Sequence, residues 1–242
     1  MRSYHVIAST AVLLLVVAGG VQAQGRGHEK NKNNGRGQEH AQPAPPSPAE
    51  QDRRAGEERA RVEQYRERLN QQTIAAQQRA AALQQQRRMR QYQTEQEYMR
   101  RLRAQQERAQ QERVENERGI YAPYVYRYHR AGRYYQTSQY GADLLRQAVR
   151  YGYQEGFRAG EADRMDGRRF DYADTFAYQD ANYGYAGLYV PEGDYNYYFR
   201  EGFQRGYEDG YYRRQQYGII SGGAPAILAN VLTSILGLAT IR

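Results

Sequence analysis

The feature that most constrains this chain is a column of glycines written twice. YQEGFRAGEAD runs from Tyr153 to Asp163, and FREGFQRGYED runs from Phe199 to Asp209. Glu, Gly, Phe, Gly and Asp recur at a constant offset of 46 residues. Each copy belongs to a set of three glycines four apart: Gly152, Gly156 and Gly160, then Gly202, Gly206 and Gly210. Positions four apart fall on one ridge of a helix. A glycine inside a helix costs about 1 kcal/mol against alanine. Six cost about 6 kcal/mol, the scale of a small domain's whole stability. Such a sequence either forgoes the helices or recovers the energy by close backbone packing. Glycine could instead mark turns, but charged residues keep the same phase in both copies. The spacing therefore predicts two helices packed through their glycine faces, with Phe157 and Phe203 flanking the groove. Charges such as Glu155, Arg158, Glu201 and Glu208 exclude a lipid-facing pair.

The surrounding module, 141–218, holds few aliphatic residues: Leu144, Leu145, Val149, Leu188 and Val190. Of the 25 tyrosines, 21 lie between 119 and 218, so a core here must be aromatic. Tyrosine brings a large apolar face and a hydroxyl that needs a partner. Ala173, Ala177 and Ala181, again four apart, suggest a middle helix started by Asp171 or Asp174, with Asp194 capping the second repeat helix. The expected unit is three helices, roughly 142–166, 172–185 and 194–214.

The run from residue 147 to 212 resembles an uncharacterised family of exported bacterial proteins. These carry a Tyr/Gly-rich GFxxGxxD motif twice around a central YxxAxxGY element, matched here by Tyr178, Ala181, Gly184 and Tyr185. The first copy departs from the pattern, with Glu161 where the second has Tyr207, and Arg164 where it has Gly210. The resemblance implies a defined exported module and brings no activity with it.

Outside the module the chain changes character. Residues 1–23 read as a signal peptide: Arg2, an apolar run from Val6 to Ala18, and a Val21-Gln22-Ala23 cleavage site. That run is too short to span a bilayer. The expected location is therefore periplasm, cell envelope or the extracellular space. There is no cysteine, so neither a lipidated cysteine nor a disulfide is available. Residues 24–47 are rich in Gly, Asn, Gln and Pro and read as a disordered linker in which His28 and His40 are solvated. Residues 48–118 read as one long Gln/Arg/Glu-rich helix, prone to a coiled coil. Val62, Leu69, Ala76 and Leu83 fall at sevens, but the second seam is mostly polar, which suits a spacer. Residues 119–140 read as an extended Tyr/Arg connector. Tyr124, Tyr126, Arg127 and Tyr128 there either stack on a ligand such as a saccharide or lie on the following module. Residues 219–242 read as an apolar C-terminal helix with Ile227, Leu228, Val231, Leu232, Ile235 and Leu236 on one face, available for docking, association or anchoring.

The fold class is therefore mainly α. The formal charge of +8 sits in the N-terminal half, because 119–218 carries 13 Arg against 13 acids. In an exported chain this points to an anionic envelope surface and away from nucleic acid. No Ser-His-Asp order, P-loop, HExxH or calcium loop is present, and no spacing selects two of the acids as a catalytic pair. No enzyme activity, cofactor or metal is expected. The expected function is a structural or interaction protein of the envelope, with a second copy, a membrane or peptidoglycan as partners. The alternative is a glycan- or peptidoglycan-binding module.

Overall fold

Ser47 and Pro48 start the first helix. The Ser47 hydroxyl accepts from the Glu50 N–H at 3.3 Å, and Pro48 fills a first-turn position that needs no donor. The computed structural model describes residues 46–111 and 118–241, all within one unit, Gln42–Arg242. The expected signal peptide and nearly all of the linker lie outside the described residues.

The long helix expected over 48–118 is corrected to two helices folded against the module, α1 (Pro48–Gln85) and α2 (Met89–Gln111). No glycine or proline breaks it. Arg87 turns the chain in a left-handed conformation (φ 56°), and the cap comes from elsewhere in the sequence. The Asp166 carboxylate accepts from the Arg90 N–H at 3.0 Å and the Gln91 N–H at 2.8 Å, satisfying first-turn donors of α2. The stripe at sevens is real, but it meets the module and not a second seam. Val62, Tyr65, Leu69 and Leu83 of α1 are buried, as are Tyr98, Met99 and Leu102 of α2. The pair is part of the core and not a solvated spacer.

The Tyr/Arg connector is a hairpin, β1 (Tyr124–Arg130) and β2 (Arg133–Ser138), closed by Ala131 and Gly132. Ser138 then caps α3 (Gln139–Met165), its hydroxyl accepting from the Gly141 N–H at 3.3 Å. The expected middle helix shrinks to a 3-10 turn (Tyr172–Asp174) and α4 (Phe176–Asp180). Its second half is drawn off by α2: Asp180 accepts from the Tyr98 hydroxyl, and the Gly184 N–H donates to Gln105 Oε1 at 2.7 Å. Neither Asp171 nor Asp174 caps it. The second repeat forms α5 (Glu192–Tyr212), begun by Pro191, with Asp194 inside the first turn and not at the cap.

α3 and α5 run parallel, in contact along both glycine columns. A Cβ placed on Gly152, Gly156 or Gly160 would collide with the backbone carbonyl oxygens of Phe199, Phe203 and Tyr207 in turn. A Cβ on Gly202, Gly206 or Gly210 would collide with those of Val149, Tyr153 and Phe157. The contact is reciprocal about a local two-fold along the helices, and it pairs Gly152 with Gly202. The packing equivalence is therefore 50 residues, one turn beyond the 46-residue sequence repeat. This accounts for the departures between the copies. Arg164 aligns with Gly210 in sequence, but Gly160 is the glycine that occupies the equivalent place. The Cα hydrogens facing carbonyls form weak contacts of about 0.5–1 kcal/mol each, which offset much of the helix cost of glycine. Aromatic rings fill the space beside the groove, with Phe199, Phe203, Tyr207 and Tyr211 stacked along α5.

The tail is not one apolar helix. Gly222 and Gly223 (φ 58° and 79°) close a hairpin of β3 (Gly218–Ser221) and β4 (Ala224–Ile227). A short α6 (Ala229–Leu236) follows, and β5 (Ala239–Thr240) pairs with β1 on the edge opposite β2. Leu232 and Leu236 are buried in the main core, with Ile227 and Ile235 packed against it. Among the described residues no helix is long and apolar enough to cross a membrane.

Candidate functional site

Three carboxylates of the module are buried and carry raised pKa values, the usual mark of chemistry. Their partners show another use. The aspartate that ends each motif takes a tyrosine from the opposite repeat helix. Tyr207 donates to Asp163 at 2.7 Å, and Tyr153 donates to Asp209 at 2.9 Å. Asp163 also receives Arg88 at 2.8 Å, and Asp209 receives the N–H groups of Gln216 and Tyr217, both at 2.9 Å. Glu155 lies between Arg101 and Arg158, each at 2.6 Å. Burial pushes the pKa of Asp163 up against the hydrogen bonds of Tyr207 and Arg88. It pushes Glu155 up against Arg158 and Arg101, and Asp180 up against Tyr98. Asp174 is also raised by burial, but Arg88 and Arg79 prevail and hold it below the ordinary range. Every one of these groups is occupied by an internal donor. Among the described residues no group of three His, Cys, Asp or Glu could hold a metal ion.

The open site lies where the hairpin meets the C-terminal strand. A cleft of about 730 Å³ is bordered by Tyr126 and Arg127 of β1, Gln136 of β2, Arg146 of α3, and the chain from Leu238 to Ile241. Its shape follows from register. Tyr124 pairs with Ser138 and Tyr126 with Thr137, so Val125 is an extra residue in β1. Such a bulge twists a strand and re-aims its side chains. The Val125 carbonyl accepts from the Ile241 N–H at 2.9 Å, which seats the C-terminal strand as the far wall. The Arg146 guanidinium lies 5.6 Å from the Tyr126 ring centre and pairs with Asp143 at 2.6 Å. Arg127 lies 5.3 Å from the Tyr134 ring centre and has no carboxylate partner among the described residues. The cleft is thus cationic, with an aromatic face and amide and hydroxyl groups at its rim. None of the buried carboxylates lines it.

Of the four Tyr/Arg positions singled out in the sequence, the structure brings only Tyr126 and Arg127 to this cleft. Tyr124 lies elsewhere, beneath the Arg54 guanidinium at 4.0 Å. Tyr128 is buried and donates to Asp194. The sequence pattern did not single out Arg146, Gln136 or Thr240. Arg146 is one of many arginines, and no local pattern marks it. Comparisons with protein-family models, with curated proteins and with solved structures gave no match.

Proposed function

We propose that the chain is a non-enzymatic, exported envelope protein whose folded part binds an anionic glycan, with peptidoglycan as the ligand class. The cationic cleft at Tyr126, Arg127 and Arg146 carries this reading. An arginine fork matches a carboxylate in two-point geometry, and an aromatic face accepts the apolar face of a sugar ring. Peptidoglycan presents both groups in one polymer. The signal-peptide pattern of residues 1–23 and the likeness of 147–212 to exported proteins support the compartment. Anchoring through the tail is less favoured, because it would have to withdraw Leu232 and Leu236 from the core.

The test is retention on purified sacculi at low salt. Arg127→Gln with Arg146→Gln should lower the retained fraction about tenfold, the worth of one charge-assisted contact. Melting should be unchanged, because Arg127 is exposed and the Arg146–Asp143 pair is a surface pair. Undiminished retention of the double variant would remove the cleft from consideration.

A further inference from the structure

The end of the molecule opposite the hairpin has a different surface. Because α3 and α5 are parallel, both of their C-termini emerge there. The corner between α1 and α2 is tied to the same place by Arg88 on Asp163 and by Asp166 on the first turn of α2. Three separate stretches of sequence therefore converge. They bring Arg87 and Arg90 from the corner, Arg164, Arg168 and Arg169 from the end of α3, and Arg213 from the end of α5, all exposed. Among the described residues none of these six side chains has a carboxylate partner. Of the acids near them, Glu97, Asp174 and Glu208 are each held by another arginine, Arg101, Arg88 and Arg214, which leaves Glu161, Asp166 and Asp171 against the six.

Helix ends alone do not account for this charge. Two C-termini together offer about one negative unit, which leaves most of the arginines facing water. Four large apolar side chains stand out among them: Met89 at 47 %, Met165 at 54 %, Phe170 at 37 % and Tyr212 at 54 % exposure. The last two are fixed by their neighbours, Phe170 also lying edge-on against Tyr207 and Tyr211. Phe170 stacks on Tyr212 with ring centres 5.6 Å apart, and Tyr211 donates to the Arg168 carbonyl at 2.6 Å, pinning the loop.

We infer that this end is a peripheral membrane surface that docks on a bilayer rich in anionic phospholipid. Clusters of four to eight arginines draw a chain to such a bilayer at about 1 kcal/mol each. Stable attachment needs a second signal, and the exposed Met and aromatic side chains supply it by entering the headgroup layer. A soluble polyanion would use the arginines but would leave the four apolar groups in water, and this favours the lipid.

The absence of cysteine allows a site-specific readout. An environment-sensitive fluorophore is placed on the full chain at Met165→Cys, and on a second sample at Arg133→Cys beside the hairpin turn at the far end. With phosphatidylglycerol vesicles at low salt, the Met165→Cys probe should shift to the blue and the Arg133→Cys probe should not. The shift should vanish with pure phosphatidylcholine, in high salt, and when Arg164→Glu, Arg168→Glu and Arg169→Glu are added. A silent Met165→Cys probe on phosphatidylglycerol vesicles would overturn the inference. So would equal shifts at both positions, which would show binding with no preference for this end. If a sulfated polysaccharide binds in an arginine-dependent way while vesicles leave the probe unmoved, the surface serves a polyanion and the lipid reading fails.

Discussion

At the scale of single residues, the molecule shows how a tyrosine-rich chain builds a core without many aliphatic side chains. The cost of each ring is a hydroxyl that must find an acceptor. The buried carboxylates supply several. Tyr98 donates to Asp180, Tyr128 to Asp194, Tyr153 to Asp209 and Tyr207 to Asp163. Backbone carbonyls supply others: Val190 for Tyr185, Tyr183 for Tyr195, and His129 for Tyr198. The motif aspartates thus serve as acceptors for phenols. Eight tyrosines (65, 98, 128, 153, 185, 195, 198 and 207) are buried, and burial raises the pKa of all eight. A folded pKa above the unfolded one means that the folded chain holds its protons longer. The stability involved is intact below the ordinary tyrosine value of about 10 and is lost as pH rises beyond it. Absorbance titration of the phenols should therefore show the eight buried rings ionising above the ordinary value, together with loss of helical signal. A single phase near the ordinary value, with the helices intact, would show that the rings are not buried as described.

At the scale of elements, the glycine and heptad patterns were legible, and their partners only in part. The glycine columns announced a close helix pair, because no other use of glycine keeps a spacing of four through two copies. The stripe of Val62, Leu69, Ala76 and Leu83 was legible only as a thin seam on a spacer; Val62 and Tyr65 of that face meet Gly187 and Tyr185, about 120 residues away, and no local pattern reports that. The break at Arg87 was not legible at all. It depends on Asp166 and Asp163 accepting across the fold from a corner that sequence pattern leaves helical. The tail is a different case. Gly222-Gly223 between two short β-prone runs is a hairpin signal, but the aliphatic spacing from Ile227 to Leu236 is helical and masks it. The cleft shows the same division. Tyr126 and Arg127 were visible through their alternation, while Arg146 and Thr240 reach the cleft only through the fold. A chain ending at Gly218 tests the tail. It loses the burial of Leu232 and Leu236, worth on the order of 4 kcal/mol, and should melt roughly 8 °C lower or more. Unchanged melting would mean that the tail adds nothing to the core.

At the scale of the whole molecule, one parallel helix pair sets the layout. It gives the chain two unlike ends, the hairpin and its cleft at the start of the helices and the arginine-rich surface where they finish. It also supplies Asp163 and Glu155, on which Arg88 and Arg101 fasten the N-terminal helices. The central claim is therefore that the glycine faces, and not helix propensity, hold the fold together. Thermal melting of three alanine variants tests it most directly. Gly56 is exposed on α1 with nothing within 4 Å of an added Cβ, so Gly56→Ala should gain about 1 kcal/mol of helix propensity and melt a few degrees higher. Gly156→Ala and Gly206→Ala make the same propensity gain but drive a methyl into a backbone carbonyl, which no side-chain motion relieves. Each should lose about 1–3 kcal/mol and melt several degrees lower. Opposite signs would support the packed glycine pair, and a rise in melting temperature for all three would contradict it.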